Sequence, residues 1–493
     1  MPAHDYLYIG GRRVSPSSDT VIDVVSPHSG EIVASVPAAA RADIDSAVRA
    51  ASLALTSSEW GALSTERRLA VVARFADEYE KLAGAFAEAM TQEMGCPVSL
   101  VRALHVDPAV RVLRYYLSLG QAYQFEELRK GTRSTVVLRQ PVGVVAAVIP
   151  WNGPVFLTML KLAPALVSGC AMVLKAAPEA PLSSYVLIRA AEAAGLPAGV
   201  LNVLTADREV SEYLVTHPGV RKVSFTGSTA AGQRIAQLCG ERLKRFNLEL
   251  GGKSAAIILD DADLDMAVGT LRLASFANSG QVCTARTRIL VPWSRYDEVV
   301  AAIGAMAASL KVGSPTDPST DLGPLVSKRQ RDLVLDLIGV GVAEGARLVT
   351  GGGVPAGLES GCYVQPTVFA DVTPEMRIAR EEIFGPVVCV IGYEDEDEAV
   401  RIANDSDFGL SGSVFTGDVA RGMRLARRIE SGTFGINTFG NDVCAPFGGL
   451  KLSGVGREMG PEGLEGYFEY RSILLPADYA GDGRGLSLMS LSS

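Results

Sequence analysis

Residues 142–149 read VGVVAAVI, an almost unbroken apolar run rich in β-branched side chains. Three shorter runs of the same kind follow, AMVL at 171–174, VLNVL at 200–204 and KVSF at 222–225. A strand exposed on one face alternates apolar and polar residues, whereas a strand buried on both faces is apolar at successive positions, as the runs at 142–149 and 171–174 are. The intervening stretches have room for crossover helices. Short buried strands alternating with helices specify βαβ units around a parallel sheet.

A second α/β region opens near Gly251, with AAIIL at 255–259 as a strand and a helical run at 296–310, and continues to about residue 451. Upstream of the sheet, Ile44, Val48, Ala51 and Leu55 share one helical face. A further helix follows, with Ser64 as its cap and Leu69, Val72, Phe75, Tyr79, Leu82 and Phe86 recurring at three- and four-residue spacings. YQFEELRKGTRSTVVLRQ at 123–140 reads as a hairpin turning at Lys130 and Gly131, and YFEYRSILL at 467–475 alternates like an exposed strand. Both lie outside the two sheets and are candidates for pairing with a neighbouring subunit. The Gly- and Ser-rich tail beyond Pro476 is expected to be loose.

The chain's 493 residues exceed the span of one growing core, so two or three domains are expected. A net charge of −9 argues against nucleic acid as a partner, because binding phosphate requires a basic surface. The N-terminus has no signal-peptide pattern and no apolar run approaches the roughly 18 residues of a membrane span, so a cytoplasmic protein is expected. The 7 Cys are scattered without CxxC pairs, which suits reduced thiols. The 4 His show no metal-ligand spacing, so no metal site is expected.

Five segments carry chemistry-bearing residues. FTGSTAAG at 225–232 lies where a strand ends and a helix begins, a place that suits a pyrophosphate but is as often a structural cap. Cys283 in SFANSGQVCTAR keeps small and polar company in Asn278, Ser279, Gly280 and Gln281, which suits close approach to a ligand and partial hydration; the other six Cys read as buried packing residues. Glu249 in FNLELGGKS sits at a strand end, where a carboxylate is usually solvated. Asn152 in PWNGP follows the first long apolar strand, placed either to donate a hydrogen bond to a ligand or to make a turn. EEIFGP at 381–386 is, alone, a loop signal.

Together, and in the chain order PWN, FTGS, ELGGK, GQVC, EEIFGP, these segments resemble the aldehyde dehydrogenase superfamily over residues 6 to 475, with PFGGLKLSG at 446–454 completing the set. The resemblance implies a Rossmann-like nucleotide-binding domain (1–119 and 142–250), an α/β catalytic domain (251–452) and a small β bridging and oligomerisation element with the tail (120–141 and 467–493), assembled as a homodimer or homotetramer. It makes Cys283 the nucleophile, Glu249 the general base and Asn152 the side-chain half of an oxyanion hole. Lys161 and Glu458 match positions that move protons from the base toward bulk water. Pro150, Trp151, Lys175, Gly227, Ser228, Leu250, Gly251, Glu382 and Phe384 match cofactor-binding positions: Lys175 at the adenosine ribose, Gly227 and Ser228 at the pyrophosphate, Glu382 at the nicotinamide ribose and Phe384 beside the nicotinamide. Gly153, Leu160, Val282, Thr284 and Phe447 match the substrate pocket.

The implied reaction is oxidation of an aldehyde to the carboxylic acid with hydride transfer to NAD, or alternatively NADP. A thiol near pKa 8.5 needs a proton acceptor to attack a carbonyl, and a carboxylate acting through water can serve and later activate the hydrolytic water. Competing readings are a CoA-acylating dehydrogenase, whose relatives typically lack the glutamate of ELGGK, and a catalytically silent protein of the same fold. Three departures from relatives stand out. Pro178 occupies the place where many carry a ribose-binding glutamate, with Glu179 one position later; Gly153 and Leu160 are smaller than the aromatics of enzymes acting on small aldehydes; Val282 and Thr284 flank Cys283. A wider apolar tunnel is the expected consequence.

Overall fold

The computed structural model describes residues 4–476 and Tyr479. The four apolar runs form the strands Val144–Val148, Ala171–Ala176, Leu201–Thr205 and Lys222–Thr226, which are joined by Arg245–Glu249 in five parallel neighbours. Antiparallel strands Leu7–Ile9 and Gly454–Val455 close the two sides of this parallel block. The chain runs outward from Val144–Val148 through Ala171–Ala176 to Leu201–Thr205, then returns to lay Lys222–Thr226 on the other flank of the first strand. That reversal is a topological switch point, and the crevice at the carboxyl ends of the strands beside it is where open α/β sheets bind ligands.

The second region forms a 7-stranded sheet centred on Ser254–Ile258, Arg286–Pro292 and Val387–Tyr393, parallel except for its edge strand Arg347–Thr350. Arg245–Glu249 ends the parallel run of the first sheet and Ser254–Ile258 begins in the second, so residues 250–253 carry the chain from the carboxyl edge of one sheet to the amino edge of the other. The candidate residues of the second region, around Cys283 and Glu382, likewise precede the strands Arg286–Pro292 and Val387–Tyr393. The two edges face each other across the site.

Two expectations change. The apolar stripe of the Ser64-capped helix spans two helices, Thr65–Lys81 and Ala83–Met94, because Leu82 turns to φ −94° and ψ 10° between them. The spacing survives the turn since both helices pack on one core, where the Tyr79 and Phe86 rings lie 4.5 Å apart. The hairpin Glu126–Lys130 and Ser134–Pro141 does not stand alone either: it pairs with Phe468–Leu474 of the same chain in a three-stranded antiparallel sheet. A strand with free backbone groups takes the nearest edge, and here that edge is intramolecular. The tail beyond Pro476 lies outside the described residues apart from Tyr479. Among the described residues no helix is long and apolar enough to cross a membrane.

Candidate active site

Cross-strand register builds the first wall. Val148 stands opposite both Lys175 and Phe225, and Thr226 opposite Glu249. The carboxyl ends therefore finish nearly level, and Pro150, Trp151 and Asn152 leave the first strand beside Gly227 and Ser228. Ser228 caps the helix Thr229–Gly240, accepting a hydrogen bond from Ala231 N at 3.4 Å, so the structural reading of that turn holds together with an open helix N-terminus. Burial lowers the Lys175 pKa to about 8, opposed by Glu179; Pro178 is partly exposed between them in sequence.

The nucleophile loop builds the second wall. Asn278, Ser279 and Gly280 take φ of 52°, 56° and 73° in succession, a left-handed run that L side chains rarely adopt. It is held in place from several sides. Asn278 Nδ2 donates to Asn152 O at 3.0 Å, Asn152 Nδ2 donates to Gln281 O at 3.1 Å, Ser279 Oγ donates to Gly323 O at 2.8 Å, and Gln281 Oε1 accepts from Val326 N at 2.9 Å. A Cβ on Gly280 would stand 2.1 Å from Gly385 O. The expected hydration of this segment is thus confined to its end: Asn278, Ser279, Gly280 and Gln281 are buried and spent on internal bonds, while Val282, Cys283 and Thr284 are partly exposed. Five of the other cysteines are buried as expected, but Cys444 is exposed in a loop where Asp442 accepts its backbone N–H.

Glu249 is buried at the end of its strand, and neither carboxylate oxygen has a hydrogen-bond partner. Burial first, then the charge of Glu458, raises its pKa well above the carboxylate range, against the pull of Lys161 and Arg457. Gly448, at φ 154°, lets the PFGG turn pass so close that a Cβ there would lie 2.7 Å from Glu249 Oε1. Burial, Glu382 and Glu249 push the Cys283 thiol up to about 12. Burial thus pushes the thiol and the carboxyl group of Glu249 alike toward their neutral forms.

Behind Glu249, Lys161 Nζ bonds Glu458 Oε1 at 2.6 Å and Thr226 Oγ1 at 2.7 Å, and the ion pair is buried. Lys161 stands in the helix Pro154–Ser168, buried at every position but Phe156, whose sequence PVFLTMLKLAPALVS is otherwise almost entirely apolar. A lone lysine in such a helix requires a partner, and that is the signal Thr226 and Arg457 lacked. Glu382 Oε1 accepts from Gly252 N at 2.9 Å, and burial raises its pKa to about 7. Phe384, at φ 55°, meets Trp151 edge to face with centroids 5.4 Å apart. Gln330, which no motif marks, holds this turn by donating to Phe384 O at 3.0 Å. Leu250 and Gly251 are buried at the crossing between the sheets, and Leu160 and Phe447 are buried as well.

The model of the aldehyde dehydrogenase family matches residues 14–473. The chain belongs to this family. It is 47% identical to the geranial dehydrogenase of Castellaniella defragrans, over 96% of this chain and 99% of that one. With a 3-succinoylsemialdehyde-pyridine dehydrogenase of a Pseudomonas species it shares 42% identity, over 95% and 98% of the two chains. An aldehyde dehydrogenase of Mycobacterium tuberculosis, solved with NAD+, superposes with a TM-score of 0.95 at 44% identity, over 97% of this chain and 99% of that one. Aldehyde dehydrogenase C of Pseudomonas syringae, a cysteine-to-alanine mutant solved with NAD+ and octanal, superposes at 0.94 with 40% identity, over 97% and 99%. As an aldehyde dehydrogenase, the protein is an oxidoreductase that converts an aldehyde to the carboxylic acid with a nicotinamide cofactor.

Proposed function

We propose that Cys283 attacks the aldehyde and that Glu249 is the base of a hydrolytic, CoA-independent aldehyde dehydrogenase using NAD. The observation that carries this reading is the burial of Glu249 without a hydrogen-bond partner, close enough to Cys283 for its charge to raise the thiol's pKa. A carboxylate of that kind is of little use to folding and suits a proton acceptor whose basicity is raised above that of an ordinary carboxylate.

The residues fit a dinucleotide. The switch point, the open N-terminus of Thr229–Gly240 for the pyrophosphate, buried Lys175 for the adenosine ribose, and Glu382 with the Phe384–Trp151 pair for the nicotinamide end lie along one crevice. When bound, nicotinamide supplies the hydride acceptor. The rest falls to the chain. Glu249, acting through water, removes the thiol proton; Asn152 Nδ2 and the Cys283 backbone N–H stabilise the alkoxide, each such donor being worth about 2.7–4 kcal/mol. Collapse of the alkoxide leaves a thioester on Cys283. Glu249 then activates water to release the acid, and Lys161, Thr226 and Glu458 carry the proton away.

The domain limits expected from the sequence belong to this reading: 1–119 with 142–250 for the nucleotide, 251–452 for the chemistry, and 120–141 with 467–493 as bridge. The three-stranded sheet ends on two edge strands, Glu126–Lys130 and Phe468–Leu474, and assembly as a homodimer or homotetramer would use such edges. Free cysteines throughout support a reducing, cytoplasmic setting. The octanal complex and geranial dehydrogenase among the relatives support an aldehyde with a sizeable apolar chain, passing Gly153, Leu160, Val282, Thr284 and Phe447. The deciding experiment is Cys283→Ala: turnover is lost while NAD still quenches tryptophan fluorescence. Equal loss on Cys444→Ala, or a wild type that turns over only with CoA, refutes the proposal.

A further inference from the structure

The expected wide wall beside Gly153 is not empty. A Cβ on Gly153 would meet His105 Nδ1 at 3.4 Å, His105 Cε1 at 3.6 Å and Leu157 Cδ1 at 3.6 Å. His105 therefore presents the Nδ1 edge of its ring to the space that a larger residue 153 would fill. It comes from the π-helical turn Arg102–Val106, a distortion of a kind frequent at functional sites, which runs into the helix Asp107–Ala122.

The ring is 7% exposed, and its Nε2 is buried with no hydrogen-bond partner. Burial alone lowers its pKa to about 4, with no neighbouring charge contributing, so at working pH it is a neutral imidazole. A neutral imidazole carries one donor and one acceptor. Leaving such a group unsatisfied in an apolar surrounding costs stability, which an apolar residue of the same shape would avoid. Gly153 directly follows Asn152, so on the reading of Gly153 as tunnel wall the His105 ring borders the space that the body of an aldehyde would occupy.

We propose that His105 is a specificity-determining residue: a polar anchor in the tunnel wall that hydrogen-bonds an acceptor or hydroxyl on the body of the aldehyde, beyond the carbon undergoing oxidation. The inference rests on the reading of Gly153 as tunnel wall. It predicts that the enzyme distinguishes aldehydes of equal shape by whether they carry such a group, and Leu157, apolar and in contact with the same space, supplies the rest of the fit.

The test compares benzaldehyde with pyridine-3-carbaldehyde, pyridine-4-carbaldehyde and 4-hydroxybenzaldehyde, on wild type, His105→Phe, His105→Asn and Gly153→Phe. Taking each ratio to benzaldehyde and comparing enzymes cancels the intrinsic reactivity of the aldehydes. His105→Phe should lower kcat/KM for at least one polar member by about three- to tenfold, the size of one net hydrogen bond, while benzaldehyde holds or improves. His105→Asn, which keeps a donor and an acceptor, should recover part of the loss. The melting temperature of His105→Phe should hold or rise, so that a folding defect does not imitate the effect. If no ratio moves in His105→Phe while Gly153→Phe raises KM across the panel, the tunnel reading stands and the anchor is refuted. If Gly153→Phe leaves every aldehyde unchanged, the tunnel reading itself fails, and the anchor with it.

Discussion

Replacing Glu458 by Gln removes one negative charge from behind the proposed base while keeping the shape of the side chain. In the native protein Glu458 bonds Lys161 at 2.6 Å, and its charge is the largest influence after burial holding the Glu249 pKa up. Taking that repulsion away makes Glu249 easier to ionise. A charge close to a buried carboxyl shifts its pKa by about 1–3 units, and the lower figure applies here because Lys161 also loses its partner and some of its pull. Glu458 is the larger of the two opposing influences on Glu249, so the sign stands. Glu249 works as a base only when deprotonated, and its raised pKa means that turnover climbs with pH along a limb displaced above the ordinary carboxylate range. In Glu458→Gln that limb should move to lower pH by about one unit, equivalent to roughly 1.4 kcal/mol. The plateau should fall, since a less basic carboxylate activates water less well. The assay is steady-state formation of reduced cofactor across the pH range, with Glu249→Gln as the variant in which the limb disappears. A limb that stays in place or moves to higher pH refutes the electrostatic account of this site. Lys161 keeps Thr226 Oγ1 as an acceptor at 2.7 Å and gains the Gln carbonyl, so the folding cost should stay below the roughly 3–5 kcal/mol expected when a buried pair is broken outright.

Glu249→Gln should leave hydride transfer faster than hydrolysis, giving a burst of reduced cofactor on rapid mixing followed by slow turnover; undiminished steady-state turnover contradicts its role as base. Gly280→Ala places a Cβ 2.1 Å from Gly385 O at a φ of 73°, so it should cost more than the roughly 1–3 kcal/mol of backbone strain alone and lower kcat together with the melting temperature. A variant that melts and turns over like wild type shows that the left-handed loop does not position Cys283. Wild type should prefer NAD over NADP by less than about a thousandfold, or about 4 kcal/mol, since Pro178 stands where relatives place a carboxylate that repels the 2′-phosphate. Pro178→Glu should sharpen that preference, and kcat/KM with both cofactors on one aldehyde decides it.

Much was legible in the chain because it depends on local chemistry. Successive apolar positions at 142–149 and 171–174 state burial on both faces, and such strands have few alternatives to a parallel sheet. Asn152, Gly227 and Glu249 could be picked out because they follow or end strands, and Cys283 because of its small and polar neighbours. What could not be read was the consequence of elements far apart in sequence meeting. Phe468–Leu474 reads as an exposed edge until Ser134–Pro141 pairs with it. Polar Asn278, Ser279 and Gln281 suggest solvent until Asn152, Gly323 and Val326 take up their hydrogen bonds. Gly153 suggests an open wall until His105, from a different helix, fills it. Residue type and period are properties of a segment, so the sequence by itself determined the strands, the family and the candidates for the reactive groups. Burial, electrostatic environment and the partner of each polar atom depend on pairs of segments, and only the tertiary structure decided that Glu249 is unpartnered, that Lys161 answers Glu458, and that His105 borders the space beside Gly153.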